Sequence, residues 1–236
     1  MQETPIRLSK AMAAAGIASR RACEELIFEG NVSVNGELIL KPQHLVSLSK
    51  DTIEVDGEII KKKQDRVYFL LNKPKGYICS NTRVGTKKII SDLFKDLPYR
   101  LFTVGRLDRD TTGLLIVTND GHFAQNVIHP SKGLTKEYLV KTMQEITDVH
   151  LKAISKGAMV EGVWVKPVAV SKVRKGTLKI VVREGKKREV RVLAEKAGLD
   201  IESLERIRIG SLTLGNLPVG IYRELSEKEK QLLLNP

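Results

Sequence analysis

The chain has 236 residues, with hydrophobic residues at 42% and charged residues at 29%, which is typical of a soluble globular protein. It contains no run of about eighteen apolar residues and begins without the basic and apolar segments of a secretory signal, so neither a membrane span nor secretion is expected. Cys23 and Cys79 are far apart and form no CxxC pair, which favours a reducing, cytoplasmic location.

The net charge of +12 is unevenly distributed along the chain. Residues 1–64 contain nine Lys/Arg and nine Asp/Glu, whereas residues 65–236 contain 31 and 19. The whole excess of positive charge therefore belongs to the second part. A basic surface of this size attracts phosphate polyanions such as nucleic acids, although general solubility is the simpler explanation of the same charge.

The first part of the chain begins with two predicted helices. The alanine-rich residues 6–15 predict a helix that ends at Gly16, because glycine is a common residue just beyond a helix C-terminus. Ser19 is a suitable N-cap for a second helix through residue 28, which Gly30 ends. Both helices are short, so they need other elements to pack against.

Short strands follow these helices. Residues 32–34 and 38–40 flank the Asn35-Gly36 turn and predict a β-hairpin. A further strand is expected at residues 52–55, before the Asp56-Gly57 turn. Two helices and a few hairpin strands form a unit of about sixty residues, small but large enough to stand alone. We assign this domain to residues 1–62.

This unit resembles the small RNA-binding module first seen in ribosomal small-subunit protein four, the alpha-L motif. The resemblance rests on residues 7–10, 16–22 and 30–36. In that family the two helices present basic residues to structured RNA. The simpler alternative is a set of solvated charges on helix surfaces. The resemblance implies RNA contacts for four residues: Arg7, Lys10, Arg20 and Arg21.

A polar, charged stretch at residues 61–65 predicts a linker, and a second domain is expected over residues 65–236. Its strands and helices alternate irregularly, without a repeated βαβ period. This pattern predicts an α+β fold built on a mainly antiparallel sheet. Strands are expected at residues 67–71, 101–104, 114–118, 137–141, 163–173 and 177–183. Helices are expected at residues 88–97, 150–156 and 188–197.

Residues 104–115, Val-Gly-Arg-Leu-Asp-Arg-Asp-Thr-Thr-Gly-Leu-Leu, form the most informative stretch. An apolar strand leads into a polar loop, and Gly113 leads directly into another apolar strand. Asp108 is therefore expected on a loop that is anchored at both ends, which holds a carboxylate rigidly. The neighbouring Arg106 and Arg109 favour its ionised form, which a nucleophile or base needs. The simpler alternative is an Asp-rich turn.

Residues 108–112 also fit DxDxT, the nucleophile loop of haloacid-dehalogenase-type phosphatases. In those enzymes the first Asp attacks phosphorus with magnesium present. Their loop normally follows a fully apolar strand, whereas Gly105-Arg106-Leu107 precedes it here. The chain also has no obvious later acidic pair for magnesium and no Rossmann-like alternation. A phosphatase is therefore the less favoured alternative.

The longer string of residues 105–121 resembles the signature of the RsuA/RluB family of ribosomal-RNA pseudouridine synthases. Three other motifs of the family are matched in order, at residues 70–76, at residues 129–131 with 136–140, and at residues 184–191. The resemblance covers nearly the whole chain and is greatest for the RluB-like branch. It implies a pseudouridine synthase domain that flips a uridine out of RNA, cleaves its glycosidic bond and rejoins C5 to C1′. The branch implies large-subunit 23S rRNA, or an assembly intermediate, as the partner.

The resemblance also implies roles for four residues. Asp108 would be the catalytic carboxylate, acting either by attack on C1′ or by removal of the C2′ proton. Tyr138 would stack on the flipped base, Arg191 would pair with Asp108, and Arg106 would fill the space that the uridine leaves in the RNA. These roles are physically reasonable, because a stacked base cannot be detached and rotated. Without the resemblance, Tyr138 is an ordinary strand aromatic and Arg191 a surface charge.

Residues 172–191 are the densest basic stretch, with nine Lys/Arg against two Glu. Phosphate contacts with RNA are expected there. The reaction needs no redox partner, and the four histidines are scattered, so no cofactor and no metal are expected. We expect a monomer without membrane contact; the alternative to an enzyme is a non-catalytic ribosome-assembly factor. The candidate RNA-binding residues of this stretch are Lys172, Arg174, Lys175, Lys186, Lys187 and Arg188.

Overall fold

A computed structural model of the chain describes residues 4–60, 64–83 and 85–235. The chain divides into two units: Met1–Val67 with Leu97–Arg100, and Tyr68–Asp96 with Leu101–Pro236. Residues 61–63 of the linker predicted at residues 61–65 lie outside the described residues. The domain limits 1–62 and 65–236 stay predictions.

The first unit combines two helices with short antiparallel strands. Strands β2, β3, β5 and β6 form one sheet, and β1 pairs with β4. The elements are β1 (Ile6–Arg7), α1 (Leu8–Ala14), α2 (Arg20–Phe28), β2 (Val32–Val34), β3 (Glu37–Leu38), β4 (Leu45–Val46), β5 (Ile53–Val55) and β6 (Glu58–Ile59).

Local signals in the sequence account for most of this unit. Ser19 accepts a hydrogen bond from the backbone N–H of Ala22 at 3.1 Å and caps α2 as predicted. Asn35 and Gly36 both have positive φ, 53° and 83°, which confirms the predicted hairpin turn. The predicted start of the first helix was wrong: Ile6 pairs with β4, and the N–H of Leu8 donates to the carbonyl of His44.

The second unit, as far as it is described, contains one mixed sheet of nine strands in the order β13-β14-β10-β15-β9-β7-β17, with β8 beside β9 and β16 beside β15. Among the described strands of this sheet only β15 and β9 run parallel, which confirms the α+β fold with a mainly antiparallel sheet. Its elements are β7 (Tyr68–Lys73), β8 (Phe102–Val104), β9 (Thr112–Thr118), α3 (Gly121–Ile128), β10 (Lys136–Thr142), α4 (Asp148–Lys156), β11 (Ala158–Val160), β12 (Val163–Val165), β13 (Ala169–Arg174), β14 (Thr177–Val182), α5 (Glu189–Lys196), β15 (Ile201–Ile209), β16 (Leu212–Thr213), β17 (Tyr222–Glu224) and α6 (Glu227–Leu234), with 3-10 turns at Ile90–Phe94 and Pro130–Lys132.

Two predicted elements differ from the structure. The helix expected at residues 88–97 is only the 3-10 turn Ile90–Phe94. The N–H of Ile78 donates to the carbonyl of Lys88, and the carbonyl of Ile78 accepts from the N–H of Ile90, so the residues before the turn are held extended. The strand expected at residues 163–173 is broken into β12 and β13, and Pro167, which has no N–H for a sheet, lies in the break.

Several elements were not predicted from the sequence, among them α3, β15 and α6. Helix α3 begins where the side chain of Asp120 accepts from two backbone N–H groups, and Ser226 and Glu229 form a capping box at the start of α6. Strand β15 was missed because charged residues interrupt its apolar alternation. No helix among the described residues is long and apolar enough to cross a membrane.

The core of the second unit lies on both faces of β7 and β9, whose residues are almost all buried. On one face, Leu114 and Ile116 pack in a cluster with Phe123 of α3 and Leu233 of α6. Gly113 lies where β9 meets β15, with φ +100°. A Cβ atom there would lie 2.3 Å from the carbonyl oxygen of Arg206, so a side chain cannot fit without separating the strands.

Gly113→Ala is expected to destabilise the protein by more than about 3 kcal/mol, since it combines a strained positive φ with a backbone clash. Gly198→Ala is the matched control, because Gly198 has φ +81° with no heavy atom within 4 Å of its Cβ position. The control should lose only about 1–2 kcal/mol. Urea unfolding of both variants measures the difference, and equal losses would contradict the close approach of the strands.

Candidate active site

A cleft of about 480 Å³ opens on the second unit. Its lining includes the loop between β8 and β9, strands β10 and β15, the loop after β14, the first turn of α5 and the end of α3. Among the lining residues are four that the sequence singled out as the centre of the site: Arg106, Asp108, Tyr138 and Arg191.

Asp108 and Arg191 meet in this cleft as the resemblance implies. The Nε of Arg191 lies 4.0 Å from Oδ2 of Asp108, and their side chains are 12% and 36% exposed. The Nη2 of Arg191 donates to the carbonyl oxygen of Asp110 and to Oγ1 of Thr111, both at 3.3 Å. Arg191 therefore fixes the loop and places its positive charge beside the carboxylate of Asp108.

The loop that carries Asp108 is held from below by Lys73, a fully buried lysine at the end of β7. Its Nζ donates to the carbonyl oxygens of Thr111 at 2.8 Å, Pro74 at 3.1 Å and Arg109 at 3.4 Å. The N–H of Gly76 also donates to the carbonyl of Arg109 at 2.8 Å. Burial lowers the pKa of Lys73, and the three carbonyls partly replace the lost water.

Tyr138 and Arg206 are cross-strand neighbours on β10 and β15. Tyr138 is 9% exposed and Arg206 is 4% exposed, and both line the cleft. The Nε of Arg206 donates to the carbonyl oxygen of Leu114 at 2.8 Å. Arg206 was not predicted from the sequence. A sequence signal does exist: Arg206 follows Leu204 by two residues, so on a strand the two side chains lie on the same face, and both are buried.

Two further ionisable side chains of the lining were also missed. Lys136 donates through Nζ to the carbonyls of Arg183 and Glu184, at 2.8 and 2.7 Å, and burial lowers its pKa. Glu189 is buried at the start of α5 and accepts from the N–H of Lys186 at 3.0 Å, while burial raises its pKa. These hydrogen bonds hold the loop between β14 and α5 in place, and this loop forms one side of the cleft.

The predicted basic stretch is divided between two places. Lys186, Lys187 and Arg188 lie on the rim of the cleft. Lys172, Arg174 and Lys175 do not line it; they lie on β13 and the turn before β14, and β14 separates the two groups by roughly 16 Å.

The distant group also has other partners. Glu145 lies 4.0 Å from Nζ of Lys172 and 3.5 Å from Nζ of Lys175. Lys172 additionally donates to the carbonyl of Ile146 at 2.6 Å. These two lysines therefore present less unpaired charge to a phosphate than the sequence suggests.

The remaining predicted RNA-binding residues belong to the first unit, and all four are exposed. Arg7 and Lys10 lie at the start of α1, and Arg20 and Arg21 are the first residues of α2. No group of three or more His, Cys, Asp or Glu side chains in the described part of the chain is arranged as a metal site.

Two family models match the chain. The model described as RNA pseudouridylate synthase matches residues 67–196, which is more than half of the chain. The model of the S4 domain matches residues 6–53, within the first unit.

Individual proteins are similar over almost the full length. A chloroplast protein of Arabidopsis thaliana, named as a candidate ribosomal large subunit pseudouridine synthase, is 49% identical over 98% of this chain, which spans 61% of that relative's length. Ribosomal large subunit pseudouridine synthase B of Bacillus subtilis is 36% identical, covering 96% of this chain and 95% of its own. A crystal structure of a pseudouridylate synthase has a TM-score of 0.68 at 28% identity, covering 97% of this chain and 99% of that one.

Lys73→Met tests the support under the loop. Methionine keeps the apolar stem but leaves the carbonyls of Thr111 and Arg109 without this donor, so we expect a loss of about 1–3 kcal/mol in the free energy of unfolding. The amide of Thr111, which donates to the carbonyl of Asp108, should exchange faster with solvent. The control is Lys75→Met at an exposed lysine, and unchanged stability and exchange in Lys73→Met would show that the loop does not depend on the ammonium group.

Proposed function

The chain belongs to the RNA pseudouridylate synthase family and carries an S4 domain, and we propose that it converts a uridine of large-subunit ribosomal RNA to pseudouridine with Asp108 as the catalytic carboxylate. The observation that carries this proposal is the meeting of Asp108, Arg191 and Tyr138 in one cleft. A carboxylate, a cation that keeps it ionised and an aromatic face are the groups that the isomerisation needs.

The chemistry requires an ionised carboxylate next to the ribose. The N1–C1′ bond of the uridine breaks and a C5–C1′ bond forms on the same uracil. Asp108 either attacks C1′ or takes the C2′ proton, and both steps need the negative charge that Arg191 stabilises. Because Asp108 is only partly exposed and Arg191 is nearly buried, their attraction is less screened than that of a surface pair.

The base must leave the RNA helix before it can rotate. Tyr138 offers an aromatic surface inside the cleft on which the flipped uracil would stack. Arg106 is exposed on the same loop as Asp108, at the mouth of the cleft, where it would fill the space left in the RNA.

RNA binding would use two basic surfaces. On the first unit these are the exposed residues Arg7, Lys10, Arg20 and Arg21; we call them the S4 group. On the cleft rim they are Lys186, Lys187 and Arg188, which we call the rim group. Phosphate contacts from two sites on one chain both contribute to the free energy of RNA binding. Once one surface has bound the RNA, the other would bind it more readily. Lys172, Arg174 and Lys175 would contribute less, because they do not line the cleft and Glu145 neutralises part of the charge of Lys172 and Lys175.

Asp108→Asn is nearly isosteric but removes the charge, so it should abolish pseudouridine formation in a large-subunit rRNA fragment and leave RNA affinity nearly unchanged. Asp110→Asn is the matched control, because Asp110 is exposed on the same loop and does not line the cleft. We expect it to keep most of the activity. Mapping pseudouridine in the fragment after incubation measures both.

These two variants also separate the alternatives. A DxDxT phosphatase would need both aspartates, so magnesium-dependent phosphatase activity of the wild-type protein that both Asp108→Asn and Asp110→Asn abolish would favour that chemistry. A non-catalytic assembly factor predicts RNA binding by the wild-type protein without pseudouridine formation. Measurable turnover by Asp108→Asn would refute the catalytic assignment.

Glutamine substitution of the S4 group and of the rim group tests their contacts with phosphate. Each lost contact should reduce the slope of log affinity against log salt by about 0.7–0.9. The variant of the S4 group should bind the rRNA fragment more weakly at every salt concentration, with its maximal rate preserved. Substitution of Lys172, Arg174 and Lys175 should have a smaller effect. If that third variant lost more affinity than the rim variant, the assignment of the RNA path would be wrong.

A further inference from the structure

Arg206 is the most buried cation of the cleft lining, and part of it lacks a partner. Its side chain is 4% exposed, and its Nε is engaged with the carbonyl of Leu114. Its Nη2 is buried and makes no hydrogen bond to any residue that the structure describes. An unsatisfied guanidinium donor in the interior costs free energy, and a ligand that accepts from it would remove that cost.

The residues that neighbour Arg206 in the sheet indicate which kind of ligand could accept a hydrogen bond from it. Tyr138 is its direct neighbour on β10, so their Cβ atoms lie about 4.5–5.5 Å apart. On the other side, Arg206 pairs with Gly113 of β9, which has no side chain and so lets the two backbones approach closely and fixes the position of Arg206. A base stacked on Tyr138 would therefore bring its edge within reach of the guanidinium group.

The other partly buried cations of the lining face other groups. Nε of Arg191 also lacks a hydrogen bond within the described part of the chain, but it faces Oδ2 of Asp108 at 4.0 Å. Lys136 donates to the carbonyls of Arg183 and Glu184, and Arg191 holds the loop and lies beside Asp108. Arg206 thus combines a fixed position, a buried charge and an unused donor.

We propose that Nη2 of Arg206 donates a hydrogen bond to a carbonyl oxygen of the target uracil, O2 or O4, and stabilises the negative charge that this oxygen gains during the reaction. This inference rests on the function proposed above. It assigns to Arg206 a contact with the reacting base, in addition to its structural bond to Leu114.

The contact matters for the reaction because the uracil becomes negatively charged when its glycosidic bond breaks. By either route open to Asp108, the electron pair of the N1–C1′ bond leaves with N1, and the uracil becomes an anion whose charge is shared with O2 and O4. C5 then bonds to C1′. If Asp108 attacked C1′, its bond to C1′ breaks in this step; if Asp108 took the C2′ proton, that proton returns to C2′. The proton on C5 is lost and N1 gains a proton, so the product is an isomer of the substrate. A fixed cationic donor in a dry site stabilises the anion more than the neutral uridine, which lowers the barrier.

Arg206→Gln removes the charge and keeps a polar side chain. Arg208→Gln is the matched control on the same strand, since Arg208 is partly exposed, pairs with Glu137 and does not line the cleft. In single-turnover assays with saturating enzyme, we expect Arg206→Gln to slow pseudouridine formation by about 100-fold. RNA affinity should change by less than about threefold, because phosphate contacts dominate it. Arg208→Gln should leave the rate unchanged.

An atomic substitution in the RNA separates a contact with the base from a structural role. With 2-thiouridine or 4-thiouridine at the target position, sulfur replaces one carbonyl oxygen and is a weak hydrogen-bond acceptor. One of the two substitutions should slow the wild-type enzyme and have no further effect on Arg206→Gln. Equal sensitivity of both proteins to the substitution would limit Arg206 to a structural role and overturn the inference.

Other outcomes are equally informative. If neither thio substitution slows the wild-type enzyme, the proposed contact does not exist, and this test requires no variant to fold. If Arg206→Gln matches the wild-type rate, the inference also fails while the proposed function stands. If wild-type protein binds the RNA but forms no pseudouridine, it is the proposed function that fails.

Discussion

The pairing of β9 with β15 brings the parts of the site together. It is the one parallel pair in the described sheet, and it joins segments about ninety residues apart in the chain. Gly113 permits the close approach, since any side chain there would meet the backbone of Arg206. The loop with Asp108 directly precedes β9, and Tyr138 lies on β10, the other neighbour of β15. A small displacement at this junction would therefore move the carboxylate and the aromatic surface apart.

Three cationic side chains lie around the junction of β9 and β15, two of them buried and one beside Asp108. Lys73 lies buried under the loop, Arg206 lies inside the cleft, and Arg191 lies beside Asp108. Burying cations costs free energy, as the lowered pKa of Lys73 shows, and carbonyl oxygens offset part of that cost. The resulting positive field favours an ionised carboxylate and an anionic base in the same small space. The same field attracts the phosphates of an approaching RNA.

Those features that depend on neighbouring residues could be predicted from the sequence. Ser19 caps a helix, Asn35-Gly36 forms a hairpin, and the loop around Asp108 lies between two apolar strands because each of these signals is local. The antiparallel α+β class followed from the order of such signals, and the family from the resemblance of the motif around Asp108. Strand β15 and Arg206 could not be found in this way. An arginine in a strand of mixed charge becomes an inward, buried group only through pairing with β9 and β10, and the sequence does not state that pairing.

Two buried donors at the site lack a hydrogen-bond partner among the residues that the structure describes, which lowers the stability of the free protein and leaves the donors available to a substrate. Within the described residues, three buried side-chain atoms lack a hydrogen-bond partner, and two of them, Nε of Arg191 and Nη2 of Arg206, belong to the cleft lining. An apolar side chain at either place would avoid the cost of an orphaned donor. The third atom, Oδ1 of Asn72 on β7, is an acceptor outside the lining, so both unpartnered donors lie where a substrate would supply acceptors. Completion of these donors by the ribose, the base and the ionised Asp108 would make the bound state better satisfied than the free protein, and the binding free energy would then be used at the reacting atoms.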